Sequence, residues 1–389
     1  MKILFVGPNA SMYALEHRPG DPAAAKWAYG LLKGMSSEAE IHVLTHVRER
    51  CWPKGDVLWS HGKAELFPEE WPCTAVSYPA LYKIRDWWLN RFYPIKAGRM
   101  LRQERFDAVV MYNCMDSYQV AITKRAHRLG IPSFAIVLDG DDPRRDNWRR
   151  ILGDTAFVDG VAFLSYWAYE NFPSQKPKLH LDGGALAWNG TPPMAGQQND
   201  RPTFIHTGAL DKWRGLEFMK GVVACLEAHR SNVRIVLCGK TNEEAAVAFR
   251  NSPNVVLRGF VSEAELADLS ARADGFLNVR EPSVGDNILN FPSKLPQYLS
   301  WGKPVVTTWI DSYAPDYQTM TCADFSNTPE TFVGVLEKVA GWDFAQKQCH
   351  YEKVKSWFTQ NKLWTVQARR MFSWMSEVLE TKHLGGNRS

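Results

Sequence analysis

Apolar and polar positions alternate along this chain in blocks. Short, densely apolar runs recur at 2–7 (KILFVG), 40–46 (EIHVLTH), 106–113 (FDAVVMYN), 133–142 (SFAIVLDGDD) and 159–165 (DGVAFLS). Runs of this kind predict strands buried on both faces. Helical spacing fills the gaps, as in PAAAKWAYGLLKGM at 22–35. The texture changes at 185–203, where GALAWNGTPPMAGQQNDRPT is rich in Gly, Pro and polar residues and reads as a linker. The alternation then restarts with FIHTGAL (204–210), VRIVLCG (233–239), VVLRGF (255–260), GFLNV (275–279) and KPVVTT (303–308), with EAELADLSARA (263–273) as an intervening helix. A long helical pattern at 353–380 closes the chain.

Strand, loop, helix and strand in this order predict parallel, doubly wound α/β sheets. The expected organisation is an N-terminal domain at 1–185, a linker at 186–202, a second α/β domain at 203–352, and a C-terminal helix with a tail at 353–389 that packs back towards the first domain. Two such domains create a cleft, and open α/β sheets bind ligands outside their strand C-termini. Function is therefore sought in the strand-exit loops.

Composition narrows the class without deciding it. The 389 residues are 45% hydrophobic and 23% charged, as in a globular protein. A net charge of +4 is too weak a signal to argue for nucleic acid. Seven scattered cysteines without a CxxC pair argue against a disulfide framework and a zinc site, and fit a reducing cytoplasm. MKILFVGPNA is too short for a signal peptide, and no apolar run reaches the roughly 18 residues of a membrane span. The 16 tryptophans are unusual, and some of them must be exposed or at an interface.

Two strand-exit loops of the second half carry a cation beside a helix start. In HTGALDKWRGLEFM (206–219), Gly208 lets backbone approach a ligand and Arg214 offers a bidentate phosphate donor. In NFPSKLPQYLSWGKPVV (290–306), Lys294 stands where loop becomes helix. Each alone reads equally as a solvated surface residue. Together they can converge on a diphosphate, whose charge develops as it leaves.

TGALDKWRGLEFM, VRIVLCGK, VVLRGFVSEAELADLSARADGFLNVRE and NFPSKLPQYLSWGKPVVTT together resemble a GT-B glycosyltransferase of the family 4 type, also called group 1, over roughly residues 203–310. The 353–380 helix is similar to the family's C-terminal crossing helix. The N-terminal half matches mainly in its strand and helix rhythm. The resemblance implies the GT-B fold: two Rossmann-like domains facing a central cleft. It also implies a retaining transfer from a nucleotide diphosphate-sugar, without metal or cofactor. The donor lies in the C-terminal domain and the acceptor in the N-terminal one. Arg214 and Lys294 then hold the diphosphate and stabilise it as it leaves. Arg258, Gly259 and Phe260 meet the base, and Gln297 faces the ribose. Gly208, Gly239, Asn290 and Ser293 complete the donor set. The chain departs from the family where two glutamates often stand with seven residues between them: Leu289 and Gln297 occupy those places. Glu281 or Asp286 then reaches the sugar. Ala209 replaces an expected cation, a load that falls on Lys294 or Lys212.

In the first domain many relatives carry a histidine where this chain has Leu138-Asp139-Gly140-Asp141-Asp142. Carboxylates at a strand exit suit an acceptor hydroxyl or a general base, and less well a metal. Asp139 is the expected catalytic carboxylate and Asp141 an acceptor contact. At least one of the three is expected to cap the following helix. If Asp139 acts in line with the donor, the reaction inverts instead. In the first loop, His17 and Arg18 are acceptor candidates, and Asp21-Pro22 read as a helix start.

The segment 82–106 interleaves Trp87, Trp88, Phe92 and Tyr93 with Lys83, Arg85, Arg91, Lys96, Arg99, Arg102 and Arg105, against Asp86 and Glu104. Trp87, Trp88, Arg91, Phe92, Lys96 and Arg99 form a candidate contact with an anionic membrane surface. A helix with a buried Trp pair, or a nucleic-acid surface, would share this composition, and Pro94 is expected to break or kink a single long helix. The combined expectation is a cytoplasmic glycosyltransferase, peripheral to the inner face of the plasma membrane. It would transfer sugar to a glycan or lipid-linked acceptor in surface polysaccharide assembly. The rivals are a transferase for a soluble small molecule or nucleic acid, and a non-catalytic GT-B scaffold.

Overall fold

A computed structural model describes the chain except for residues 9–21, 47–49, 56, 61–70, 114–115, 195–198, 212–213, 240–242, 282–284 and 387–389. It divides into two compact units, Met1–Leu186 with Trp364–Ser389, and Ala187–Leu363.

The first unit is built on a seven-stranded parallel sheet: β1 (Lys2–Val6), β2 (Glu40–Thr45), β3 (Cys73–Ala75), β4 (Ala108–Tyr112), β5 (Ser133–Val137), β6 (Gly160–Phe163) and β7 (Lys178–His180). Their spatial order is β3-β2-β1-β4-β5-β6-β7. Ile3 pairs with Ile41 on one side and with Ala108 on the other, so the winding direction reverses beside β1. Every residue of β4, β5 and β6 is buried, which is why they read as unbroken apolar runs.

Two helices flank this sheet in ways that the residues explain. Helix α1 (Pro22–Met35) packs against the last helix of the chain, Trp364–Gly386. Gly30 and Gly34 make that approach possible: a Cβ on Gly34 would lie 2.4 Å from the Trp364 carbonyl oxygen, and one on Gly30 would run into the Trp364 indole. Helix α2 spans Ile84–Gln103 without a break, contrary to the expectation for Pro94. Pro94 sits on the buried face, and the Arg125 guanidinium donates to its carbonyl. Gly98, one turn on, leaves room for that arginine: a Cβ there would stand 3.0 Å from the Arg125 Nη1.

The second unit repeats the architecture with β8 (Thr203–Thr207), β9 (Arg234–Cys238), β10 (Val255–Gly259), β11 (Gly275–Asn278), β12 (Val305–Thr308) and β13 (Cys322–Asp324). The order is β10-β9-β8-β11-β12-β13, all parallel. Helices Leu216–Ala228 and Pro329–Ala340 share a core in which Phe218 and Phe332 meet edge to face at 5.5 Å. Two doubly wound parallel sheets are what the alternation predicted.

The closing helical pattern is two helices, Phe344–Asn361 in the second unit and Trp364–Gly386 in the first. Lys362 marks the break. It is buried, with its ammonium 4.6 Å from the Tyr317 ring centre and 5.2 Å from that of Trp357. No Gly or Pro signals this break, so the 3.6-residue periodicity runs through it. On the second unit, Trp188 packs on Tyr351 and Phe358, and Asn189 bonds Ser300, so the start of the expected linker is docked.

Gly30→Val overfills the seam between α1 and the last helix. Overpacking of this kind costs about 1–3 kcal/mol. Equilibrium denaturation should show that loss, and unchanged stability would mean that the two helices part easily.

Candidate functional site

In the second unit the winding reverses between β8 and β11, where a doubly wound sheet opens a crevice at its strand C-termini. The β8 exit is tied down from a neighbouring helix, Lys294–Leu299. The Tyr298 hydroxyl accepts from the Thr207 amide at 2.8 Å and bonds the Thr207 hydroxyl at 2.8 Å, while its ring stacks on Phe276 at 4.6 Å. At the start of the same helix, Lys294 Nζ donates to the Thr207 carbonyl. Gly208 follows at φ +88°, and a Cβ there would lie 2.5 Å from Lys294 Nζ. Both its backbone angle and its contact with the lysine demand glycine.

The adjacent exits are bare backbone. The Gly208 amide donates to the Cys238 carbonyl at 2.7 Å, and the Gly239 amide to the Gly259 carbonyl at 2.6 Å. A Cβ on Gly239 (φ +124°) would stand 2.8 Å from the Gly208 backbone. The ends of β8, β9 and β10 thus form a shelf without side chains at its three glycines. Arg258 and Phe260 flank it, exposed, with Phe260 89% accessible.

Two further cations face Lys294. Arg214 precedes the helix Leu216–Ala228, and its guanidinium and amide bond the Asp211 carboxylate at 2.6 and 3.0 Å. Arg280 lies two residues past β11, and its amide donates to Thr308 Oγ1 at 2.9 Å. Burial pushes the Lys294 ammonium down to about 7; the charges of Arg280 and then Arg214 act in the same direction, and Asp211 opposes them. This repulsion is what a bound dianion would relieve. Beneath, His206 is buried in β8 and its Nδ1 bonds the Leu277 carbonyl at 3.0 Å, so Nδ1 carries the proton. Its Nε2 is buried without a hydrogen-bond partner. Burial, and then Lys294, push this imidazole down to about 3, so it is neutral. The positive charge of the site therefore belongs to Lys294, Arg214 and Arg280.

The other expected donor residues lie nearby in sequence with mixed roles. Ser293 and Gln297 are exposed, and the Gln297 carbonyl accepts from Ser300 Oγ at 2.6 Å. Glu281 is half-buried, its carbonyl bonded by Asn287 at 2.7 Å. Asn290 Oδ1 is buried without a hydrogen-bond partner. Lys212 and the Asp286 side chain lie outside the described residues.

In the first unit, Asp139 is exposed just past β5. Its amide and that of Leu138 point at Asn113 Oδ1, at 3.4 and 3.3 Å, from the β4 exit. Asp141 pairs with Arg150 at 3.0 Å. Asp142 is buried, accepts from the Arg144 amide and guanidinium, and caps the short turn Pro143–Arg145. Arg144 holds its carboxyl below the usual range. Among the described residues no group of three or more His, Cys, Asp or Glu could hold a metal ion. His17 and Arg18 lie outside the described residues.

Residues 201–338 match the family model described as Glycosyl transferases group 1. That span includes the glycine shelf and all three cations. Residues 201–338 are a group 1 glycosyltransferase domain, in a chain with the GT-B fold. No curated protein matches its sequence. Solved structures similar to the glycosyltransferase along nearly its whole length share its fold at low identity. The lipopolysaccharide outer core galactosyltransferase WaaB is 13% identical with a TM-score of 0.62, covering 98% of this chain and 100% of its own. Anabaena HepE, solved with UDP and glucose, is 13% identical at 0.64, covering 97% and 100%. The α,α-trehalose 6-phosphate synthase of Burkholderia multivorans is 12% identical at 0.65, covering 98% and 99%.

Reading the sequence of this glycosyltransferase missed Arg280 and His206. Arg280 directly follows the apolar run GFLNV, but only the sheet order shows that this strand lies at the reversal point.

A diphosphate held by Lys294 would bind with a pH dependence of definite sign. In the free protein Lys294 is charged below about pH 7 and neutral above it. A nucleotide diphosphate-sugar keeps its charge throughout and favours the charged lysine. Binding above pH 7 therefore takes up a proton, and affinity falls by up to about tenfold per pH unit. Calorimetry in buffers of different ionisation enthalpy reads that uptake directly. Lys294→Arg should flatten the profile, and Lys294→Met should lose about 2–3 kcal/mol of affinity at pH 6. A profile in the native enzyme as flat as in Lys294→Arg would remove Lys294 from the diphosphate site.

Proposed function

We propose that this enzyme is a retaining, metal-independent glycosyltransferase of the family 4 type, acting on a lipid-linked or glycan acceptor in surface polysaccharide assembly. The observation that carries this is the convergence of Lys294, Arg214 and Arg280 on a side-chain-free shelf in the group 1 domain. A diphosphate fits it by charge and by close backbone approach. As the bond from the sugar C1 to the phosphate oxygen breaks, its electron pair stays on that oxygen, and the three cations stabilise the charge. UDP in the Anabaena HepE structure supports a nucleotide diphosphate in this fold. Arg258, Gly259 and Phe260 border the base end of the shelf, and Gln297, Glu281 and Asp286 remain the sugar-proximal and ribose-proximal candidates.

The acceptor belongs to the strand exits of the first unit. There Asp139 is exposed just past β5, and Asp141 and Asp142 pair with Arg150 and Arg144. In a retaining reaction Asp139 orients the acceptor hydroxyl, and the departing phosphate oxygen takes its proton. The likeness to WaaB, a lipopolysaccharide outer core galactosyltransferase, supports a surface-glycan setting. No helix among the described residues is long and apolar enough to cross a membrane, and the membrane association we propose is peripheral. The rival acceptor is a soluble sugar, which a Burkholderia xenovorans synthase bound to glucose-6-phosphate illustrates.

Incubation with UDP-, GDP-, ADP- and CMP-sugars, with and without lipid-linked acceptors, tests the reading. One diphosphate donor should be consumed, with the anomeric configuration kept in the product by NMR. Asp139→Asn should lower kcat for transfer by about 10²–10⁴-fold while leaving donor affinity intact. An inverted product would make Asp139 the in-line base and overturn retention. Turnover only with soluble sugars would remove the lipid-linked acceptor.

A further inference from the structure

The first unit carries a large exposed aromatic surface. Three segments build it. Trp52 pairs with Leu81, and its amide donates to the Ala80 carbonyl at 2.8 Å. The Ala80 amide in turn donates to the Leu58 carbonyl at 2.8 Å, and Trp59 pairs with Pro79 in a short antiparallel ladder. The chain then runs through Tyr82 into α2. This arrangement leaves Tyr82, Trp87, Leu58 and Trp52 exposed at 73%, 63%, 60% and 55%, with Ile84 and Trp59 beside them. Apolar exposure on this scale, gathered from separate segments, marks an interaction surface.

Trp88 and Phe92, which the sequence placed among the lipid-facing residues, do a different job. They stack on each other at 4.2 Å, Trp88 meets Trp59 at 5.3 Å, and its indole donates to the Ser77 carbonyl at 3.1 Å. Both are half-buried and brace the exposed rings. Helical spacing puts Arg91, Lys96, Arg99 and Arg102 on the same side of α2 as this pair, all exposed. The one acidic residue in the first turn of the helix, Asp86, is paired with Arg85 at 2.8 Å. The aromatic patch thus runs directly into a row of cations.

We infer that this surface docks on an anionic lipid bilayer, with Trp52, Trp59, Tyr82 and Trp87 seated at the headgroup level and the α2 cations against the lipid charge. Aromatic rings with one polar edge prefer that depth, and basic residues beside them add attraction that salt weakens. The inference rests on the peripheral-membrane reading above and names the surface that reading needs.

Sedimentation with vesicles of phosphatidylcholine, alone or mixed with phosphatidylglycerol, tests it without donor or acceptor. The enzyme should bind the anionic vesicles more strongly, with a blue shift of tryptophan emission. Arg91→Gln with Arg99→Gln should weaken anionic binding about thirtyfold. Trp52→Ser with Trp87→Ser should abolish the emission shift, and both exposed pairs should melt like the native enzyme. An enzyme that stays in the supernatant with either lipid, or that binds equally after both double substitutions, overturns the inference. So does a dimer that Trp52→Ser with Trp87→Ser splits, because a second copy would then cover the patch. Turnover of a lipid-linked acceptor in detergent, without vesicle binding, would sink this surface and leave the acceptor reading standing. Vesicle binding with turnover only of soluble sugars would do the reverse.

Discussion

The contact between the Lys294 ammonium and the Thr207 carbonyl, beneath a glycine that cannot be anything else, sets the terms for the rest of the second unit. An ammonium held against backbone beside two guanidinium groups is electrostatically unfavourable, as its lowered pKa records. It stays because the short helix that carries it is fixed independently. Tyr298, four residues beyond the lysine, anchors that helix to the β8 exit through two bonds at 2.8 Å and a ring stack. The neutral state of His206 belongs to the same arrangement, since a second buried positive charge under Lys294 would raise the cost further. The site is therefore preorganised for an anion at some expense to the fold, which is common where function and stability compete.

That expense has a sign. The unfolded chain binds a proton at Lys294 up to its ordinary value of 10.5, while the folded protein gives it up near 7. Between those values the unfolded state holds more protons, so this residue's burden on stability is full below pH 7 and eases as pH rises. Binding of a diphosphate at Lys294 would run the opposite way, because it would need the proton that burial drives off, so ligand and fold would draw on the same ionisation in opposite directions.

The inner strands were legible because both sheets are parallel and covered, so each reads as an apolar run, whereas the edge strands Cys73–Ala75, Lys178–His180 and Cys322–Asp324 are half-buried and carry no such run. What stayed hidden has local physical causes. Pro94 within α2 is tolerated because Arg125 reaches its carbonyl across Gly98, a tertiary contact with no sequence signature. The break at Lys362 depends on two rings from elsewhere in the unit receiving its ammonium. At the candidate site, the glycines and the cations at 214 and 294 could be placed by position alone. Arg280 follows a strand whose place in the sheet only the topology reveals, and His206 looks like any apolar-strand residue until its buried ring is seen without a partner on Nε2.

The tryptophans divide on the same principle. Trp27, Trp71, Trp148, Trp364 and Trp374 are buried, and Trp27, Trp364 and Trp374 line the seam where small residues let the last helix approach the sheet and α1. Trp52, Trp59 and Trp87 are exposed on a surface that no element of their own unit covers among the described residues. Composition could say that some rings must lie outside, but not which, because both kinds sit in equally apolar stretches of sequence. Trp87 and Trp88 are adjacent in one helix, yet only Trp88 has a backbone carbonyl within reach of its indole. That bond fixes the half-buried Trp88 as a brace, while Trp87 beside it stays 63% exposed.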